Sequence, residues 1–114
     1  MNTMDTEVLL HTYDRLSATT GHMLCAAQSG DWERLVTLER DCGEIVARLS
    51  ALETEDALPV GIRDRKAALL RKVLADDAAI RDITEPQLKR LSHMLDANRS
   101  EQRLLRAYGP PPIG

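Results

Sequence analysis

Few side chains in this sequence could do chemistry, and their spacing decides of what kind. The histidines His11, His22 and His93 show no spacing that would put two on one helical face as metal ligands. Cys25 and Cys42 are not at zinc spacing, and there is no His-Glu-x-x-His run and no Gly-rich phosphate loop. The adjacent carboxylates Asp76 and Asp77 are flanked at helical spacing by Lys72 and Arg81, which reads as a solvated, ion-paired face. Arg15, Arg34 and Arg48 could converge on a small dicarboxylate. Their neighbours Asp14, Glu33 and Glu44 supply closer carboxylates, and the arginines flank the apolar seams rather than interrupt them. No catalytic residue, metal site or cofactor is expected.

What the sequence does specify is a scaffold. Leu9, Tyr13, Leu16, Thr20, Met23 and Ala27 are spaced alternately four and three, and Leu35, Leu38, Cys42, Ile45, Leu49 and Leu52 alternately three and four. Each set lies on one narrow helix face, the seam of a helix that packs lengthwise on another. Between them, Gly30 can take the left-handed conformation that ends a helix, and the Asp31 carboxylate can cap the next one. Trp32 follows in the first turn, placed to wedge the two seams into register. The spacing predicts an antiparallel hairpin with a first helix over about 5–29 and a second over about 32–53.

Apolar residues make up 43% of the 114 positions but aromatics only 3%, with no Phe, so the core is built from Leu, Ile, Val, Ala and Met. Strand-favouring residues never alternate over a useful length, and the chain reads as all-α. No apolar run approaches the roughly 20 residues of a membrane span. Met1–Asp5 lacks a basic region followed by a hydrophobic one, so no signal peptide is expected. In a hairpin turning near residue 30, Cys25 lies opposite a residue near 36 rather than Cys42. A disulfide is therefore not expected, and unpaired thiols point to the cytoplasm. Residues 1–85 carry ten Lys and Arg against sixteen Asp and Glu, whereas residues 86–114 carry five against two. The acidic body argues against nucleic acid as a direct ligand, and the basic C-terminal stretch is expected to lie on it.

Thr54–Gly61 reads as a turn-rich connection, punctuated by Pro59 and Gly61. A third helix follows over about 62–83. Thr84-Glu85-Pro86-Gln87 reads as a capping box and favours a break or sharp kink, with a fourth helix to about residue 107; the competing reading is one long helix kinked at Pro86. Residues 109–114, Gly-Pro-Pro-Pro-Ile-Gly, read as an extended, mobile tail. The third helix carries two apolar stripes, Leu69, Val73, Ile80 and Ile83 on one and Ala67, Leu70, Leu74 and Ala78 on the next. Only one is needed for the hairpin, so the second requires a cover or a partner. The fourth helix is a weak cover, since its seam runs Leu88, Leu91, Leu95, then Asn98 and Gln102, then Leu105.

Several segments together resemble the FliT family of flagellar export chaperones. Gly30-Asp31-Trp32-Glu33-Arg34-Leu35, with Leu38-Glu39 and Ile45, is similar to that family's hairpin corner. Pro59-Val60-Gly61-Ile62 is similar to its lead into the third helix. Leu91, Met94-Leu95, Arg99, Gln102, Leu105 and Ala107-Tyr108-Gly109 are similar to its C-terminal pattern. The resemblance implies a protein that binds the C-terminal region of the filament-cap protein (FliD), prevents premature assembly and delivers it to the flagellar type III export apparatus. It also implies contacts with the export ATPase, the export-gate protein and the flagellar master regulator, and an autoinhibitory C-terminal helix. Carried onto this sequence, the partner groove comprises Val46, Leu49, Ala67, Leu70, Arg71, Leu74 and Ala78. The regulatory helix comprises Leu88, Leu91, Leu95, Leu105 and Tyr108, the last as an anchor, a partner contact or a half-buried aromatic.

The expected architecture is thus a single domain, an antiparallel bundle of three to four helices. It has a three-helix body over 1–83, a detachable regulatory helix over 84–108 and a tail over 109–114. Two other readings compete: a constitutive bundle or coiled-coil homodimer, and a small helical enzyme of chorismate-mutase type.

Overall fold

The corner at residues 26–34 sets the topology. In the computed structural model, which describes residues 3–53 and 58–108, the first helix, α1 (Thr3–Ser29), ends at Gly30 with φ +72°. The Gly30 N–H donates to the Ala27 carbonyl at 3.2 Å and the Asp31 N–H to the Ala26 carbonyl at 2.9 Å. This paired pattern closes a helix on a left-handed residue, where a side chain would be strained. The second helix, α2 (Trp32–Leu52), starts at once, with the Arg34 N–H donating to the Asp31 carboxylate at 3.2 Å. Two residues thus reverse the chain.

Both expected seams face inward. On α1, Leu9, Tyr13, Leu16, Thr20, Met23 and Ala27 are buried; on α2, Leu35, Ile45 and Leu49 are buried and Leu38, Cys42 and Leu52 half-buried. Trp32 is the exception, at 43% exposed. It precedes the first seam position, and Leu35 fills the corner against Ala26 and Ala27 instead, so Trp32 is not the wedge its position suggested. Cys25 and Cys42 are free thiols.

The third helix, α3 (Val60–Tyr108), is continuous, with Pro86 inside it. The expected break and the separate fourth helix are therefore absent. Pro86 removes one backbone hydrogen bond, at about 3 kcal/mol for an interior site. A break would leave up to four N–H and four C=O groups unpaired, of which a capping box recovers two. Asp82, whose carbonyl Pro86 leaves without a donor, is exposed to water. The chain divides into two units, Met1–Ile83 and Thr84–Gly114. The tail over 109–114, and Thr54–Ala57 of the expected connection, lie outside the described residues.

Within the first unit, the core forms two clusters. One joins Leu9, Tyr13, Leu16, Ile45, Leu49 and Leu69; the other joins Met23, Ala26, Ala27, Leu35 and Ile80. Leu69, Val73, Ile80 and Ile83 of α3 all pack into them, so the first of the two α3 stripes is the core stripe. Asp76 lies on this stripe and is 9% exposed, which corrects the expectation of a solvated Asp76-Asp77 face. It accepts hydrogen bonds from Lys72 Nζ at 2.6 Å and Thr20 Oγ1 at 2.8 Å. Only Asp77 behaves as expected, paired at the surface with Arg81 at 3.0 Å.

A second polar group ties the three helices toward the end of the hairpin away from the corner. The Tyr13 hydroxyl donates to the carboxylate of Glu53, the C-terminal cap of α2, which also meets Lys66 Nζ of α3 at 2.8 Å. Lys66 Nζ stands 5.4 Å from the Tyr13 ring centre, a cation–π distance. Burial alone would raise the Glu53 carboxyl, but the hydrogen bonds from Lys66 and Tyr13 outweigh it and hold the group below its ordinary 4.5. Burial, with the Glu53 hydrogen bond and charge, raises the Tyr13 phenol. The hydrogen bond to Glu53 raises Lys66.

The signs fix the pH dependence. The Glu53 contribution to stability is complete above its ordinary value and is lost as pH falls through the lower folded value. The contributions of Lys66 and Tyr13 are complete below their ordinary 10.5 and 10.0 and are lost as pH rises through the raised folded values. Urea unfolding should therefore show stability falling below about pH 4.5 and above about pH 10, with Glu53→Gln flattening the acid limb. Tyr13→Phe should cost about 1 kcal/mol at pH 7 and flatten the alkaline limb. An acid limb that Glu53→Gln leaves unaltered would show that the group contributes nothing there.

Candidate functional site

On α3 the second apolar stripe runs beside the core stripe from Ala67 to Ala78, and its burial falls away along the helix. Ala67 and Leu70 are half-buried, and Leu70 packs against the cluster holding Ile45 and Leu49. Arg71 and Ala78 are exposed, and Leu74 is 66% exposed. Of the two α2 residues expected at the groove edge, Leu49 belongs to the core at 6% exposure, while Val46 is on the surface at 47%. The structure thus brings Leu49 and Leu70 together inside the body. It leaves Val46, Arg71, Leu74 and Ala78 on outer faces.

α2 also exposes apolar surface beyond Val46, the one α2 surface residue expected at the groove. Trp32 and Val36 are 43% and 57% exposed, and with Gly43 and Val46 their spacing of four, seven and three falls on one helix face. A side chain at Gly43 would meet nothing within 4 Å, so no packing need explains this mid-helix glycine, which costs about 1 kcal/mol relative to Ala. The signal was present in the sequence. Val36 and Val46 sit off the seam, as Leu70 and Leu74 do on α3.

The electrostatics of this region do not favour a reactive centre. Burial pushes the Cys42 thiol up, and the carboxylates of Asp77 and Glu39 push the same way, so the thiolate is disfavoured. Between α1 and α2, Arg15 and Arg48 line one cleft together with Thr19, Asp41, Glu44 and Ile45. Arg34 does not line it, so the three arginines weighed as a dicarboxylate site do not converge there. Among the described residues, no three or more His, Cys, Asp or Glu side chains gather as metal ligands, and no helix is long and apolar enough to cross a membrane.

The second unit, taken by itself, is helical over its described residues and carries its leucines on the surface. Leu88, Leu91, Leu95 and Leu105 are 48–62% exposed, as are Met94 and Leu104 at comparable levels, and Tyr108 is 86% exposed.

The chain matches the family model described as "Flagellar protein FliT" over residues 10–110. It is similar to the flagellar protein FliT of Cronobacter sakazakii, 28% identical over 100 residues that cover 88% of this chain and 82% of that protein. The corresponding protein of Yersinia enterocolitica is 25% identical over 104 residues, covering 91% and 87%. Among solved structures, the crystal structure of flagellar protein FliT from Bordetella bronchiseptica is 35% identical with a TM-score of 0.70, covering 75% of this chain and 97% of that one.

Burial separates the two α3 stripes in a measurable way. Leu69→Ala, inside the core, should cost about 2–5 kcal/mol, whereas Leu74→Asp should stay within about 0.5 kcal/mol of the parent. Denaturant unfolding checks both. A large loss at Leu74 would make it a core residue and remove it from any docking surface.

Proposed function

Since this chain belongs to the FliT family of flagellar proteins, we propose that it is a cytoplasmic chaperone of the flagellar type III export pathway. Its client would be the C-terminal region of the filament-cap protein (FliD), held back from premature assembly and delivered to the export apparatus. The observation that carries this reading is the exposed far part of the second stripe on α3, with Leu74 two-thirds exposed beyond the half-buried Leu70. An apolar strip on a pinned helix suits a partner that lays down the apolar face of its own amphipathic helix. Val46 and Leu74 would border the groove, Leu70 would form its floor, and Arg71 would meet an acidic residue of the client. Ala67 and Ala78, being small, would let the partner helix come close at either end.

In the same proposal, residues 84–108 regulate access by competing with the client through Leu88, Leu91, Leu95, Leu105 and Tyr108. Apparent affinity then falls by the fraction of molecules in which the groove is free. The export ATPase, the export-gate protein and the flagellar master regulator would be further partners. The exposed leucines of residues 88–105 favour one second reading, a homodimer formed along that seam. Light scattering over a range of concentrations separates it, because a strict monomer has no such dimer.

Two variants test the chaperone reading. Leu74→Asp should weaken capture of the cap-protein C-terminal segment at least tenfold, about 1.4 kcal/mol, with helicity unchanged. Deleting residues 98–114 should tighten it. Binding unaffected by Leu74→Asp would remove the α3 stripe from the interface, and a truncation that leaves affinity unchanged or lowers it would overturn competition by the C-terminal residues.

A further inference from the structure

A polar layer of α1 and α3 lies between the two apolar clusters of the body, which Cys42 of α2 bridges. The buried seam of α1 runs Leu9, Tyr13, Leu16, Thr20, Met23 and Ala27, and the core stripe of α3 runs Leu69, Val73, Asp76, Ile80 and Ile83. Thr20 and Asp76 are the central polar residues of the two, and they meet: Thr20 Oγ1 donates to Asp76 Oδ2 at 2.8 Å. Lys72 Nζ completes the layer, donating to the same carboxylate oxygen at 2.6 Å and to the Ser17 carbonyl at 2.7 Å. Gly21 makes room for it, since a Cβ there would stand 2.9 Å from Lys72 Nζ.

Apolar packing alone does not choose this alignment. The α3 stripe repeats every seven residues, so a slide of that length would set Leu69 or Ile83 opposite Thr20, about 10 Å from the present alignment. Steps of three or four residues would set Val73 or Ile80 there. Each slide keeps apolar side chains in most of the seam. Each also takes the Asp76 carboxylate away from the Thr20 hydroxyl and Lys72 Nζ away from the Ser17 carbonyl, so the Lys72–Asp76 pair, which travels together on α3, loses both of its partners on α1.

We propose that Thr20, Lys72 and Asp76 form a register key, a polar layer that selects one alignment of α3 on α1 against near-equivalent slides. A lone polar position in an apolar helix seam specifies register at a cost in stability, and a matched pair across the seam sharpens the choice. The three are positioning residues. Their effect on binding comes through Leu70 and Leu74, which α3 carries into place beside α2, and that last step rests on the proposed client-binding role.

The test replaces the whole layer at once in the full chain: Thr20→Val, Lys72→Met and Asp76→Leu, with Tyr13, Glu53 and Lys66 kept. The triple variant should melt at or above the parent temperature, because apolar replacement of a buried carboxylate and its half-exposed lysine partner removes the cost of desolvating the charge. Its amide NMR spectrum should nevertheless show more than one set of signals, or exchange broadening, over residues 62–83. Asp76→Asn, which can still accept from Thr20, should keep one set at a lower melting temperature. One set of signals for the triple variant, with methyl contacts between positions 20 and 76, overturns the key by showing that packing and the Tyr13 group suffice. An unfolded triple variant overturns it as well, since the layer would then be needed for folding rather than for choice of register. Titration with the cap-protein C-terminal segment adds the functional arm, with apparent affinity expected to drop roughly two- to fivefold as only the native register binds. A parent chain that does not bind the segment counts against the proposed function, while the spectra decide the key.

Discussion

α1 is the surface on which everything else in the first unit is built. Nine of its residues between Leu9 and Ala27 are buried, on a face broad enough to receive two helices, whereas α2 and α3 each bury three. A helix that lies between two neighbours needs a wide inward face; its neighbours need only a stripe. That asymmetry explains the composition of α1, where small residues such as Thr12, Ser17, Thr20, Ala26 and Ala27 admit close approach on both sides. Thr12 satisfies its hydroxyl within the helix, donating to the Val8 carbonyl at 2.7 Å. The breadth of α1 leaves the outer flanks of α2 and α3 with apolar side chains that no core position requires.

The polar groups then determine how that spine is used. Apolar seams supply most of the stabilisation but are permissive in register. The Tyr13–Glu53–Lys66 group joins α1, the end of α2 and the start of α3 in one place, and the Thr20–Lys72–Asp76 layer joins α1 to α3 about two turns further along. No buried side-chain polar atom among the described residues lacks a hydrogen-bond partner. A fully satisfied layer avoids the penalty of burying polar groups unmatched. The corner at Gly30 and Asp31 adds a third constraint, purely through backbone geometry.

Much of this was legible in the sequence, for identifiable reasons. The hairpin was readable because its signal is local: a four-three repeat, a glycine with positive φ and an aspartate cap. The division of α3 into a core stripe and a surplus stripe was readable from periodicity, and burial follows it from Leu69 to Leu74. Asp76 was misread because neighbouring charges at helical spacing, Lys72 and Arg81, look the same whether the face is wet or buried. Its true partner, Thr20, lies 56 residues away. Pro86 was misread because proline propensity is a local penalty, and the cost of ending a helix depends on what would satisfy the freed groups. Trp32 was overvalued as a wedge, since large aromatics are usually buried and this one stands before the first seam position.

Surplus apolar surface has a physical cost that constrains its interpretation. Trp32, Val36 and Val46 on α2 and Leu74 on α3 each leave apolar area in water, at about 25 cal/mol per Å² relative to burial. Scattered singly, such residues are ordinary on a protein surface. Here they recur with helical spacing, on helices whose opposite faces are fixed by the core, so their positions relative to α1 are determined rather than free. A surface held in this way can receive another helix without reorganising, which lowers the ordering cost of association. The same rigidity makes small displacements of α3 consequential, because a shift of one turn moves Leu74 by about 5 Å. A binding surface made from the residues a core leaves over is therefore only as well defined as the register of the helix that carries it.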